Sequence, residues 1–206
     1  TKVFDLPHTV KQYVCANVIN VDEIKTKSLE PIDDIVKTKF TICSVGRLEE
    51  VKGYDMVINA AKVLKERNID VDFWILGTGA QEENLKELLI RNKCNDMVHF
   101  LGYKDNPYPY MKCANVYLSS SYAEGLPLVL CEAQCLGKPI IATKTIGALQ
   151  LLKNGTNSRL IDISAIAIAD AVEEWLTNNN CVITDDITFR EYHTNEILEL
   201  IYQDIL

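Results

Sequence analysis

The stretch Val71-Asp72-Phe73-Trp74-Ile75-Leu76-Gly77-Thr78-Gly79 decides the fold. Its first six residues are mostly apolar, rich in β-branched and aromatic types, and stop at a Gly-x-Gly turn. A strand buried on both faces reads this way. Downstream, residues 80–92 change period, and Leu85, Leu88 and Leu89 share one side of a helix. Upstream, residues 54–67 also have a helical period, with apolar side chains at 56, 57, 60, 61 and 64. Further out, Phe40-Thr41-Ile42-Cys43-Ser44-Val45 is a strand closed by Gly46, and Val98-His99-Phe100-Leu101 is one closed by Gly102. Val116-Tyr117-Leu118-Ser119 and Ile140-Ile141-Ala142 are further strands, and Arg159-Leu160-Ile161 is a weaker sixth. Helices are expected over 108–114, 127–136 and 148–152, and from a Ser164 cap to about residue 176. Short apolar strands alternating with helices imply a parallel sheet covered on both faces and joined by right-handed crossovers. The expected fold class is α/β, a Rossmann-like, doubly wound domain. Such sheets bind ligands at the C-terminal strand ends, near the switch in strand order.

The bulk numbers suit that class. The chain has 206 residues, 48% hydrophobic and 24% charged, enough for one large domain. A net charge of −8 argues against a nucleic-acid partner, while leaving room for a local cationic pocket for one phosphate ligand. No apolar run approaches the ~20 residues of a membrane span, and the start does not resemble a signal peptide. The chain opens at Thr1-Lys2-Val3-Phe4 without Met, so it is expected to be a fragment or a processed piece. Seven cysteines (Cys15, Cys43, Cys94, Cys113, Cys131, Cys135, Cys181) form no Cys-x-x-Cys pair and read as free thiols. His8, His99 and His193 are scattered without ligand spacing, so no metal site is expected.

Four motifs follow predicted strands. Gly46-Arg47-Leu48-Glu49-Glu50-Val51-Lys52-Gly53 sets two cations five residues apart, between glycines that can turn the backbone. It reads as a phosphate clamp, with Arg47 as a fork and Lys52 as a point charge, or as two solvated surface cations. Gly77-Thr78-Gly79 lacks the third glycine of a dinucleotide fingerprint and also reads as a tight turn. Ser119-Ser120-Ser121 offers hydroxyls to a polar ligand, or to its own turn. Glu124-Gly125-Leu126-Pro127-Leu128-Val129-Leu130-Cys131-Glu132 brackets a helix start with two acids. Pro127 is expected as the first helical residue. Glu132 falls in an otherwise apolar run, where a carboxylate is costly unless something pairs with it.

Together these motifs resemble the C-terminal, donor-binding domain of retaining GT-B glycosyltransferases, specifically glycosyltransferase family 4, the glycosyl transferases group 1 family. The resemblance runs over roughly residues 40–161. It is carried by Gly46-Arg47-Leu48 with Lys52-Gly53, Ile75-Leu76-Gly77-Thr78-Gly79, Phe100-Leu101-Gly102, Ser119 through Pro127, Glu132-Ala133, and Gly137-Lys138-Pro139-Ile140-Ile141-Ala142-Thr143. It implies one half of a GT-B fold. It also implies roles by residue: Arg47 and Lys52 on the donor diphosphate, Glu124 on sugar hydroxyls, and Glu132 on the ribose hydroxyls. Gly46, Gly77 and Gly79 belong to the donor-binding set. Backbone amides after Gly125, at Leu126 and Leu128, would receive phosphate, and Tyr103 would stack on the base. Arg47, Lys52 and Glu124 are the catalytic candidates. The resemblance implies no cofactor and no metal, a UDP- or GDP-sugar donor, and a glycan or glycolipid acceptor. It also implies a cytoplasmic enzyme, peripheral to the inner membrane face in its full-length form.

Two departures stand out: Ile146-Gly147-Ala148-Leu149-Gln150 where the family often carries Gly-Gly before a glutamate, and Asn157-Ser158 at the later Asn-Gly turn. By the same resemblance, residues 1–38 are a linker and interdomain remnant that contains Asn20-Val21-Asp22. Residues 39–178 are the nucleotide-sugar-binding domain, and 179–206 form a helical segment that crosses back to an N-terminal acceptor domain. That acceptor domain is an expected partner. Two rival readings are a non-catalytic interaction or regulatory domain, and a GT-B relative such as a sugar-nucleotide epimerase or a phosphorylase.

Overall fold

The computed structural model describes residues 19–125, 127–152 and 157–177. The first eighteen residues, Leu126, and the segment 179–206 with its expected terminal helix lie outside the described residues. Six parallel strands form the sheet: β1 (Phe40–Val45), β2 (Val71–Leu76), β3 (Val98–Gly102), β4 (Val116–Ser119), β5 (Ile140–Thr143) and β6 (Ser158–Ile161). Their order is β3-β2-β1-β4-β5-β6, the doubly wound arrangement, with its reversal between β1 and β4.

Alternate side chains of each strand feed two cores, which is why the strands read as nearly continuous apolar runs. Ile42, Phe73, Ile75, Val116, Leu118 and Ile141 face one side, against α2 (Tyr54–Glu66), α3 (Glu82–Asn92) and α7 (Ala165–Thr177). Cys43, Trp74, Leu76, Tyr117, Ile140 and Ala142 face the other, against α4 (Tyr108–Cys113), α5 (Leu128–Cys135) and α6 (Ile146–Leu151). Ser164 starts α7 as expected, its Oγ accepting from Ala167 N at 3.1 Å. Gly137 ends α5 with φ +64°, and the amides of Gly137 and Lys138 close on the Gln134 and Ala133 carbonyls.

Three boundaries differ from the sequence reading. Pro127 is not the first helical residue but the cap before it, with an extended ψ of 95°. A Cβ on Gly147 would lie 2.5 Å from Pro127 Cδ, so the proline ring is seated against the start of α6. Helix α6 begins at Ile146 because the Thr145 side chain caps the Ala148 amide. Within the segment read as linker, Asn20 caps a seven-residue helix, α1 (Val21–Lys27), by accepting from Glu23 N. This helix belongs to the same compact unit as the sheet. No helix among the described residues is long and apolar enough to cross a membrane.

Candidate functional site

Where the strand order reverses, the C-terminal ends of β1 and β4 part, and a cleft of about 180 Å³ opens beside α5. Lys52, Ser119, Ser120, Ser121, Glu124 and Leu128 line it. Lys52 sits in a 3-10 turn, Glu50–Lys52, that follows β1. Gly53 ends this turn at φ +65°, and a Cβ there would lie 2.3 Å from the Ser120 carbonyl oxygen. Ser120 Oγ donates to the Lys52 carbonyl at 2.8 Å, so the cation loop is bolted to the end of β4. Gly46 has a different task from the one expected. Its φ is not positive, and a Cβ there would crowd Tyr54 Oη at 3.0 Å and Lys52 Cε at 3.4 Å. It supplies space for Lys52 rather than a turn.

Lys52 Nζ donates to Glu124 Oε1 in an ion pair, and Ser121 Oγ donates to the same oxygen at 2.9 Å. The sequence offers no local sign of this pair, whose members lie 72 residues apart. The loop around Glu124 is held from behind, its carbonyl accepting from Gly147 N at 2.9 Å. The segment that departs from the family pattern therefore supports the Glu124 loop with its backbone. The Arg47 side chain is exposed and makes no hydrogen bond or ion pair with another described residue. Two of the three serine hydroxyls are used internally, Ser120 on Lys52 and Ser121 on Glu124.

Glu132 does not line this cleft, although Leu128, one turn before it, does. It lies toward α4, where the Tyr108 hydroxyl donates to its Oε1 at 3.2 Å. The sequence showed that Glu132 needed a partner but not which one. Burial raises the Glu132 carboxyl above its ordinary value of 4.5, and the bond from Tyr108 offsets only part of that. Burial, with the nearby Glu132 charge, pushes the Tyr108 phenol up to about 12. A raised folded-state value means that folding takes up protons at Glu132. That stabilisation is full below the unfolded value and is lost as pH rises through the folded one. Glu132→Gln keeps an acceptor for Tyr108 and does not titrate. The variant is expected to gain stability relative to wild type between about pH 4 and about pH 7. Paired thermal melts at the two pH values check this, and an unchanged gap would refute it.

Gly77 and Gly79 hold the cation loop rather than face the cleft. Added Cβ atoms would lie 2.0 Å from Gly46 O and 2.5 Å from Leu48 O. Leu48 N donates to Thr78 O, and Gln81 N to Leu48 O. Gly125 is open, with nothing within 4 Å of an added Cβ. Leu126 lies outside the described residues. Tyr103, 69% exposed, follows β3 on the far side of β2 from the cleft's two strands. Cys43, Cys94, Cys113, Cys131 and Cys135 are free. Burial pushes Cys131 and Cys135 up to about 11, so they stay protonated and unreactive at neutral pH. Among the described residues, no group of three or more His, Cys, Asp or Glu is placed to hold a metal ion.

The family described as glycosyl transferases group 1 matches residues 26–190. The chain belongs to that family. An uncharacterized glycosyltransferase of Haemophilus influenzae is 34% identical over 165 residues, spanning 79% of this chain and 46% of its own length. The lipopolysaccharide core biosynthesis glycosyltransferase LpsE of Rhizobium meliloti is 30% identical over 140 residues, spanning 68% of this chain and 40% of its own. The chain thus spans less than half the length of these relatives. Among solved structures, Anabaena HepE in complex with UDP superposes with a TM-score of 0.70 at 21% identity, over 81% of this chain and 48% of its own. TarM superposes with a TM-score of 0.75 at 19% identity, over 92% of this chain and 38% of its own. These likenesses show the fold: an α/β, Rossmann-like domain matching glycosyltransferase structures.

Proposed function

We propose that this chain binds a nucleotide-diphosphate sugar and forms the donor half of a retaining, metal-independent glycosyl transfer to a saccharide or lipid-linked acceptor. The observation that carries the reading is Lys52 and Glu124 side by side in the cleft at the β1–β4 switch point. Family membership supports it, as do HepE solved with UDP-glucose and the pneumococcal O-GlcNAc transferase GtfA solved with UDP and GlcNAc. In this reading Arg47 and Lys52 hold the diphosphate, Glu124 accepts from sugar hydroxyls, and Glu132 accepts from the ribose. Backbone amides at the start of α5, including Leu128, add their dipoles. As the bond to the sugar breaks, negative charge grows on the departing diphosphate. Two cations and a helix N-terminus stabilise that charge without a metal. The acceptor attacks on the face the diphosphate leaves. A cleft of about 180 Å³ is smaller than the roughly 300–1,000 Å³ of complete ligand sites, which fits a site shared with an N-terminal acceptor domain. The same reading sets the reaction in the cytoplasm, at the inner membrane face where the acceptor is lipid-linked.

Calorimetric titration with UDP and with GDP tests the reading on wild type and Glu132→Ala. One of the two nucleotides is expected to bind wild type, with affinity about 10-fold lower in the variant, the worth of one or two hydrogen bonds to a charged group. Binding indifferent to Glu132 would remove the ribose assignment. Absence of binding by either nucleotide would favour an interaction domain.

A further inference from the structure

Two side chains assigned to different parts of one donor already hold each other. Lys52 Nζ and Ser121 Oγ both donate to Glu124 Oε1, and the pair's side chains keep only 24% and 16% of their exposure. The backbone on either side is fixed, Ser120 Oγ on the Lys52 carbonyl at 2.8 Å and Gly147 N on the Glu124 carbonyl at 2.9 Å. This distinguishes the pair from a loose surface contact between two mobile side chains. Arg47, by contrast, is exposed and unpaired among the described residues.

A diphosphate entering the cleft meets a lysine whose charge is already neutralised. Taking that lysine means displacing a carboxylate, and Glu124 is then left with Ser121 alone in a largely desolvated place. A bare nucleoside diphosphate offers Glu124 nothing in return. A diphosphate that carries a sugar brings hydroxyl donors, which can replace the lysine on Glu124.

We propose that Glu124 is a specificity-determining residue that makes the cleft favour the intact nucleotide-sugar over the bare nucleoside diphosphate, by competing with phosphate for Lys52 until sugar hydroxyls engage it. The proposal rests on the donor-site reading above and adds a direction to it. Once the sugar has left, Glu124 recaptures Lys52 and the spent diphosphate is displaced. The exchange makes and breaks only hydrogen bonds and an ion pair.

The test titrates the full 206-residue chain as wild type, Glu124→Gln and Glu124→Asp with UDP, UDP-glucose, GDP and GDP-mannose. Gln keeps an acceptor but loses the charge, whereas Asp keeps the charge but draws it back from Lys52. Thermal melts identify which variants are folded. For the base that wild type binds, affinity for the bare diphosphate is expected to rise about 3- to 10-fold in both variants. Affinity for the sugar conjugate does not rise, so the preference shrinks. An unchanged preference in the folded variants overturns the exchange and leaves the donor site standing. Binding of no nucleotide by any of the three proteins overturns the donor-site reading, and the exchange with it.

Discussion

Gly77→Ala is expected to destabilise the fold by about 3 kcal/mol or more, read as a drop in urea midpoint at unchanged slope. Two costs combine at this position. Its φ of +135° lies where L residues are strained, at on the order of 1–3 kcal/mol. An added Cβ would also lie 2.0 Å from the Gly46 carbonyl oxygen and 2.9 Å from its carbon, a clash with backbone rather than with a side chain that can swing aside. Neither strand can yield cheaply. Gly46 N donates to Leu76 O at 2.9 Å, Gly77 N to Gly102 O at 2.7 Å, and Leu48 N to Thr78 O at 2.9 Å. Relief would mean breaking the contact that holds the cation loop over the sheet edge, so the same variant is also expected to lose nucleotide binding. Gly125→Ala is the control. Nothing lies within 4 Å of its added Cβ and its φ is not positive, so its stability should stay within about 0.5 kcal/mol of wild type. A Gly77→Ala protein as stable as Gly125→Ala would show that the β1 and β2 loops do not interlock.

The sheet was legible because each strand announced itself twice, by an apolar run and by the turn that ended it. Residues Val71–Leu76 and Phe40–Val45 stand where their composition put them. The helices on the outer faces were equally readable, since Leu64, Ala60 and Val57 repeat at the helical period and are buried. The short helices were harder. Asn20 and Thr145 start α1 and α6 by capping backbone amides, and a polar cap before seven or six residues leaves little periodicity to find. The site was legible in its residue types but not in its contacts. Glu124 and Lys52 both carried the family pattern, yet their pairing depends on β4 lying beside β1, a property of the strand order. Tyr108 was hidden in the same way, because only the packing of α4 near α5 brings its hydroxyl to Glu132. Gly77 and Gly79 carried a ligand-binding pattern, and the structure uses their missing side chains to let two backbones touch.

Arg47→Ala and Lys52→Met are expected to weaken nucleotide diphosphate binding for different reasons and by different amounts. The Arg47 side chain is exposed and bonded to no described residue, so it can offer its full fork to a phosphate without giving anything up. Its loss should lower affinity by about 10- to 100-fold, the worth of a charge-assisted pair of hydrogen bonds. Its stability should change by less than about 0.5 kcal/mol, as for an unpaired surface residue. Lys52 already serves Glu124, and by the exchange proposed above it gives up that carboxylate to serve a phosphate, so its net contribution to binding a bare diphosphate is smaller. Its removal should cost affinity less than removal of Arg47 does. Lys52→Met should nevertheless lower stability by about 1 kcal/mol, because it strips the counter-charge from a carboxylate only 16% exposed and leaves it the Ser121 bond alone. Calorimetry and urea unfolding on the two variants separate these effects. A Lys52→Met protein that is as stable as wild type and binds diphosphate more weakly than Arg47→Ala would show that the lysine stands free in solution. The ion pair would then play no part in how the cleft receives its ligand.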